Sequence, residues 1–214
     1  MSASPPDGSV PASAPLPTAG WFGKIPALGD FVSRRLPIEF IEPWDSWLSE
    51  ELFAAREKLG ENWLESYLKA PIWRFALMPG TLDANHWFGV LMPSVDRVGR
   101  QFPLTFAASF APEPDTLHRW WSALVGVAMR AKQPDCDADA LEVALLSAPG
   151  TVEPEPSVEL FETRIAPSLA TAAAGTSVWW SWRQGAPEDG TLSVVEGLPR
   201  SDRFLQLVAP GSCD

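Results

Sequence analysis

Trp87-Phe-Gly-Val-Leu-Met-Pro-Ser-Val-Asp-Arg-Val-Gly-Arg-Gln-Phe-Pro-Leu-Thr105 holds the decisive transition of this chain, where a bulky apolar run breaks into a charged loop and then returns to apolar residues. Trp87 to Met92 suits a buried pleated surface, Pro93 ends that strand because it has no amide donor, and Gly99 permits the turn from which Phe102-Pro103-Leu104 resumes. Asp96, Arg97 and Arg100 are thereby held at the mouth of two core strands. Two readings are open: Asp96 pairs with Arg97 or Arg100 to fasten a sharp connection, or the three charges contact a partner.

The flanking sequence supplies the rest of a sheet. Ile72 to Met78 reads as the preceding strand, joined through the turn formers Pro79 to Asn85, and Phe102 to Phe110 reads as the following one. Upstream, Trp21-Phe-Gly-Lys-Ile-Pro26 is a short strand running into a Gly/Pro loop that carries Lys24, Asp30, Arg34 and Arg35, with Asp30 expected to pair with Arg34 or Arg35. From Pro43 onward Trp44, Trp47, Leu48, Leu52, Ala55 and Leu59 recur at helical spacing, and Gly60 is placed to end that helix. Trp63, Leu64, Tyr67 and Leu68 make a shorter helix that must stop before Pro71.

Further along, Asp115 is expected to cap a helix burying Leu117, Trp120, Trp121, Leu124 and Ala128, and Asp137 to Ala148 forms another with Leu141, Ala144 and Leu145 inward. Pro149 to Pro156 is an acidic, proline-broken loop. Val158 to Ala174 is expected to be helical around Pro167, Ser177 to Trp182 and Thr191 to Val195 to be strands, and Ser201 to cap a last helix through Phe204, Leu205 and Val208. This mixed order of strands and helices predicts an α/β fold.

With 214 residues, 46% of them hydrophobic, the chain can bury one substantial core, and it is read as one domain over residues 20–208. Residues 1–19, rich in Pro, Ser and Ala, are expected to be a disordered tail, and 209–214 a flexible end. A formal charge of −11 with 16 Lys and Arg excludes a dense cationic footprint for nucleic acid. No run approaches the length of a membrane span and the N-terminus has no secretory signal, so the expected location is the cytoplasm, without direct membrane insertion. Cys136 and Cys213 belong to no CxxC pair and are expected to be free thiols.

Several chemistries lack a foothold. Gly23-Lys24 invites a phosphate-loop reading, but Thr18 stands where the first glycine is required and Ile25 where Ser or Thr is required. There is no GxSxG elbow, no HExxH and no GxGxxG, and only His86 and His118 are available as imidazoles. Asp137-Ala138-Asp139 is better explained by the positive end of a helix dipole than by a metal. Asp30 and Asp96, each in a glycine-containing loop beside a strand, are the remaining candidate carboxylate pair for a hydrolase. The tryptophans fall on helix and strand faces, as core residues do.

Taken together, these motifs resemble the TagF family of type VI secretion-associated proteins. The resemblance is carried by Trp21 to Pro37 with its Gly23-Lys24, Gly29-Asp30 and Arg34-Arg35 pairs, by Pro43 to Leu48, by Trp63, Tyr67-Leu68 and Ala70 to Phe75, and most specifically by Gly89 to Arg100 with Phe102 to Thr105. It implies a three-layer α-β-α sandwich around a central mixed or antiparallel sheet. It also implies a non-enzymatic cytoplasmic protein, without cofactor, that represses type VI secretion post-translationally by binding a fork-head-associated scaffold protein. A structural component of the apparatus is the alternative. Some members carry a fused PP2C-type phosphatase domain, so a separately encoded phosphatase is a further possible partner. The candidate contact residues are Lys24, Asp30, Arg34, Arg35, Asp96, Arg97 and Arg100.

Overall fold

The computed structural model describes residues 16–111, 114–148, 161–183 and 186–210. Residues 1–15 of the expected tail, the Pro149 to Pro156 loop and Cys213 lie outside the described residues. The elements in chain order are β1 (Gly20–Gly23), β2 (Val32–Arg34), α1 (Ile38–Leu59), a 3-10 turn (Gly60–Asn62), α2 (Trp63–Lys69), β3 (Trp73–Leu77), β4 (Trp87–Met92) and β5 (Leu104–Ala108). There follow α3 (Pro114–Ala131), α4 (Ala138–Ser147), a π turn (Phe161–Ile165), α5 (Ala166–Thr171), β6 (Thr176–Arg183), β7 (Ala186–Glu196) and α6 (Asp202–Val208).

All seven strands share one antiparallel sheet in the order β2-β1-β5-β4-β3-β6-β7. Every residue of β3, β4 and β5 is buried, which is why these strands read as continuous apolar runs rather than as alternating ones. Alternate side chains enter two separate cores. Phe88, Val90, Met92, Leu104 and Phe106 pack with Trp121 and Leu124 of α3 and Leu141 of α4. Trp73, Phe75, Leu77, Trp87 and Leu91 pack with Phe40, Trp44 and Trp47 of α1, Tyr67 of α2 and Phe204 of α6. Gly89 lies where neighbouring strands leave no room for a side chain, because a Cβ there would meet the Phe106 carbonyl oxygen at 2.2 Å and the Phe75 ring at 2.4 Å.

Four local expectations are corrected. Helix α1 begins at Ile38, not Pro43: Pro37 sits extended at φ −71° and ψ 157°, and its carbonyl accepts the Phe40 and Ile41 amides. Pro43 therefore lies inside the helix and forfeits one ladder bond. Burial of Phe40 and Trp44 on either side offsets that loss. Helix α3 begins at Pro114, whose fixed φ suits a first turn, so Asp115 falls within the helix rather than capping it. Residues 32–34, expected to be loop, form β2 as a hairpin partner of β1. Ser201 makes no side-chain cap; its own amide, at a residue with φ 52°, donates to Glu51 Oε2 at 2.7 Å. A carboxylate from α1 thus supplies the negative charge that the N-terminus of α6 favours.

The topology also sets where the charged loops meet. β1 and β5 are antiparallel with Phe22 opposite Thr105, and β4 and β5 with Met92 opposite Leu104. The ends of β1 and β4 and the start of β5 therefore lie at one edge of the sheet. Lys24, just after β1, and Asp96, in the β4–β5 connection, are brought together there.

Candidate functional site

At that edge, Lys24 Nζ donates to Asp96 Oδ2 at 3.0 Å, with the two side chains 6% and 0% exposed. Arg100 Nε reaches the same oxygen at 2.6 Å, and the amides of Val98 and Arg100 donate to Oδ1 at 3.0 and 2.9 Å. Four donors fill what a carboxylate can accept. Burial would push the Asp96 carboxyl up, but these amides and the two cations together hold it well below the usual carboxylate range. Gly99, at φ 84°, closes the turn by donating to the Asp96 carbonyl at 2.9 Å.

The loop is latched to its surroundings at four further points. The Arg97 amide donates to Leu28 O at 2.8 Å, and Arg100 Nη2 donates to Gly29 O. Ser94 Oγ donates to Lys24 O at 2.7 Å, while the Tyr67 hydroxyl both donates to Ser94 O at 2.9 Å and accepts from Ser94 N at 3.0 Å. Burial pushes the Tyr67 hydroxyl above its ordinary pKa, against the opposing pull of its contact with the Ser94 backbone. Phe31 lies 4.7 Å edge-on to Phe102 and 5.8 Å over Phe22, with Lys24 Nζ 4.9 Å from its ring centroid.

The two arginines of the first loop do different work. Arg35, held at φ 62°, turns its guanidinium back to Ala19 O at 3.1 and 2.8 Å and onto Glu142 of α4. Glu142 also accepts Trp21 Nε1 at 2.6 Å; burial opposes its ionisation, but Arg35 and Trp21 leave its pKa lowered. Residues 16–19 are accordingly packed: Ala19 is buried and Pro17 O accepts Trp120 Nε1 at 2.8 Å. Arg34 makes an exposed pair with Asp139 at 3.3 Å. Asp30 pairs with neither arginine and instead accepts the Phe31 amide at 2.7 Å, a correction to the expected Asp30 bridges.

Of the seven candidate residues, Lys24, Asp96 and Arg100 converge, Asp30 and Arg97 flank them, and Arg34 and Arg35 turn toward α4. Asp30 and Asp96 share no hydrogen-bond partner among the described residues, and Asp96 has all its acceptor positions filled by protein donors. The separate groove of about 290 Å³ lined by Met78, His86, Phe88, Phe110, Leu117 and Leu169 contains none of the seven. Asp137 Oδ1 accepts the Asp139 and Ala140 amides, which accounts for that acidic pair as a helix cap. Sequence reasoning missed Tyr67, Ser94, Phe31 and Glu142. Ser94 directly follows Pro93 in the charged motif, and Tyr67 is the only tyrosine of the chain, but nothing local marks Glu142 as the partner of Arg35.

A family model described as TagF N-terminal domain, type VI secretion system-associated, matches residues 20–148. The crystal structure of PA0076 from Pseudomonas aeruginosa PAO1, solved at 2.05 Å resolution, is similar with a TM-score of 0.71 at 33% sequence identity, over 89% of this chain and 94% of that one. No match was found among curated proteins. The 20–148 match begins at β1 and runs through α4, so it contains the Lys24–Asp96–Arg100 brace and the loops on either side of it, and the chain belongs to the TagF N-terminal domain family of type VI secretion system-associated proteins.

Proposed function

We propose that this chain is a cytoplasmic accessory protein that represses type VI secretion post-translationally, by binding a fork-head-associated scaffold component and without catalytic turnover. The observation that carries the reading is the saturation of Asp96: all four acceptor positions of its carboxylate are filled by protein donors. The group most deeply set in the shared motif therefore serves to hold two loops in place, leaving no free pair for acid–base work. Family membership supports the link to secretion. The two cores on alternate faces of the sheet support a three-layer α-β-α arrangement, with the loops at one edge as the contact region.

A repressor that works by binding acts through mass action, so its effect scales with its concentration. Overproducing the protein in a strain with an active apparatus should lower export of type VI substrates while the amounts of the secretion components stay constant. The scaffold should co-purify with it. Undiminished export at high levels of folded protein would sink the repressor reading.

A further inference from the structure

The outer side of the Lys24–Asp96–Arg100 brace presents groups that the fold leaves uncommitted. Arg97 donates its amide to Leu28 O, but its guanidinium has no hydrogen bond or ion pair among the described residues. It stands beside Gly29, where a Cβ would lie 3.7 Å from Arg97 Nη2. Arg100, although it touches Asp96 and Gly29 O, keeps its side chain 58% exposed. Next to these cations Phe31 is 45% exposed and Val98 68%. Three cations, Lys24, Arg97 and Arg100, face two carboxylates, Asp96 and Asp30, so the patch is locally positive on a chain of formal charge −11.

We infer that this face docks an acidic segment of a protein partner, with a carboxylate on Arg97 and Arg100 and a neighbouring apolar side chain over Phe31 and Val98. Arginine and exposed aromatic groups in one patch are the composition of an interface centre, and a guanidinium fork matches a carboxylate in two hydrogen bonds. The acidic remainder of the chain selects against long polyanions. Electrostatic screening acts over about 8 Å at physiological salt, so one carboxylate set on the patch feels the local cations, whereas an anionic bilayer or a nucleic acid also meets the repelling surface around it. Phe31 is already fixed by Phe22, Phe102 and Lys24, so little ordering entropy is lost on docking. The inference rests on the binding reading above but does not depend on the identity of the scaffold.

The test uses the full chain, fluorescein-labelled peptides of alternating Glu and Leu, the same peptides with Gln for Glu, vesicles containing phosphatidylserine, and the purified scaffold. The Glu/Leu peptide should bind, more weakly as salt rises, and the Gln/Leu peptide should not. Arg97→Glu and Val98→Asp should each weaken that binding roughly five- to tenfold with melting temperatures unchanged, since neither side chain is used by the fold. Equal binding of the Gln/Leu peptide, equal competition by the vesicles, or unaltered affinity in both variants would overturn the inference. A parent that takes the Glu/Leu peptide through Arg97 yet ignores the scaffold keeps this surface and removes the scaffold as partner. A scaffold bound equally by parent and both variants keeps the repressor reading and overturns this surface.

Discussion

Asp96→Asn is the perturbation that reads the brace most directly. The amide keeps the volume of the carboxylate and retains an acceptor for the Val98 and Arg100 amides, but it turns an uncharged group, one face of it a donor, toward Lys24 Nζ and Arg100 Nε. Arg100 can move into solvent; Lys24, with its side chain only 6% exposed, cannot without disturbing Phe31. Leaving one charge of a buried pair without its partner costs about 3–5 kcal/mol, out of a total stability of about 5–15 kcal/mol. Urea unfolding at pH 7 measures the loss, and Lys24→Met in the same background should recover part of it by removing the stranded ammonium. The pH dependence follows from the lowered Asp96 pKa. An Asp that ionises near pH 3.9 when unfolded and well below that when folded gives its full contribution above about pH 4, and loses it as the pH falls further toward the folded-state value. The gap between parent and variant should therefore be flat from pH 7 to about pH 5 and should narrow below about pH 4. A loss under about 1 kcal/mol at pH 7, or a gap that widens in acid, would refute the brace.

Trp44→Ala should cost about 3–5 kcal/mol in the same assay, since this fully buried ring also gives its N–H to Thr105 Oγ1 at 2.9 Å; parent-like stability would place the α1 face outside the core. Arg35→Glu should lower the melting temperature by several degrees because it breaks the Ala19 and Glu142 contacts together, whereas Arg34→Glu, losing one exposed pair, should shift it within error. Gly89→Ala should destabilise by about 1–3 kcal/mol, because its Cβ would press on the Phe106 carbonyl and the Phe75 ring; a neutral result would mean that the sheet relaxes there freely. A chain starting at Gly20 should melt below one starting at Leu16, since it lacks the Pro17 and Ala19 carbonyls that Trp120 and Arg35 use.

Local pattern determined the elements far better than their partners. β3, β4 and the first two helices were legible because their apolar side chains recur at the strand or helix period and because proline and glycine punctuate their ends. The start of α1 was not, since the usual rule places proline in a first turn and only tertiary burial of Phe40 pays for Pro43 inside the helix. The Asp96–Arg100 pair was visible as a four-residue spacing within one turn. Lys24 as the third member was not, because it lies 72 residues away and meets Asp96 only through the order of strands β1, β5 and β4. The tryptophans show the same limit. Their burial follows from periodicity, but the N–H groups of Trp44, Trp47, Trp73, Trp120 and Trp121 bind Thr105, Pro199 O, Leu207 O, Pro17 O and Gly89 O, acceptors far off in sequence that only the folded topology brings near.

The two roles first posed for the charged loop, fastening a turn or meeting a partner, fall on different atoms of the same segment. Asp96 faces inward with every oxygen occupied, and Lys24 and the Arg100 Nε are committed to it. Arg97 and Val98 occupy the same turn but face outward, and the backbone amides that hold the turn closed are independent of their side chains. Changes at Asp96 or Lys24 would therefore lose folding and binding together, and cannot show which surface is used. Changes at Arg97 or Val98 leave the brace intact and isolate recognition. The same physical logic accounts for a glycine, a buried acid and two cations within one short motif: a rigid turn, set by buried charge and backbone hydrogen bonds, presents the outer side chains at a fixed place on the sheet edge without further cost at the moment of binding.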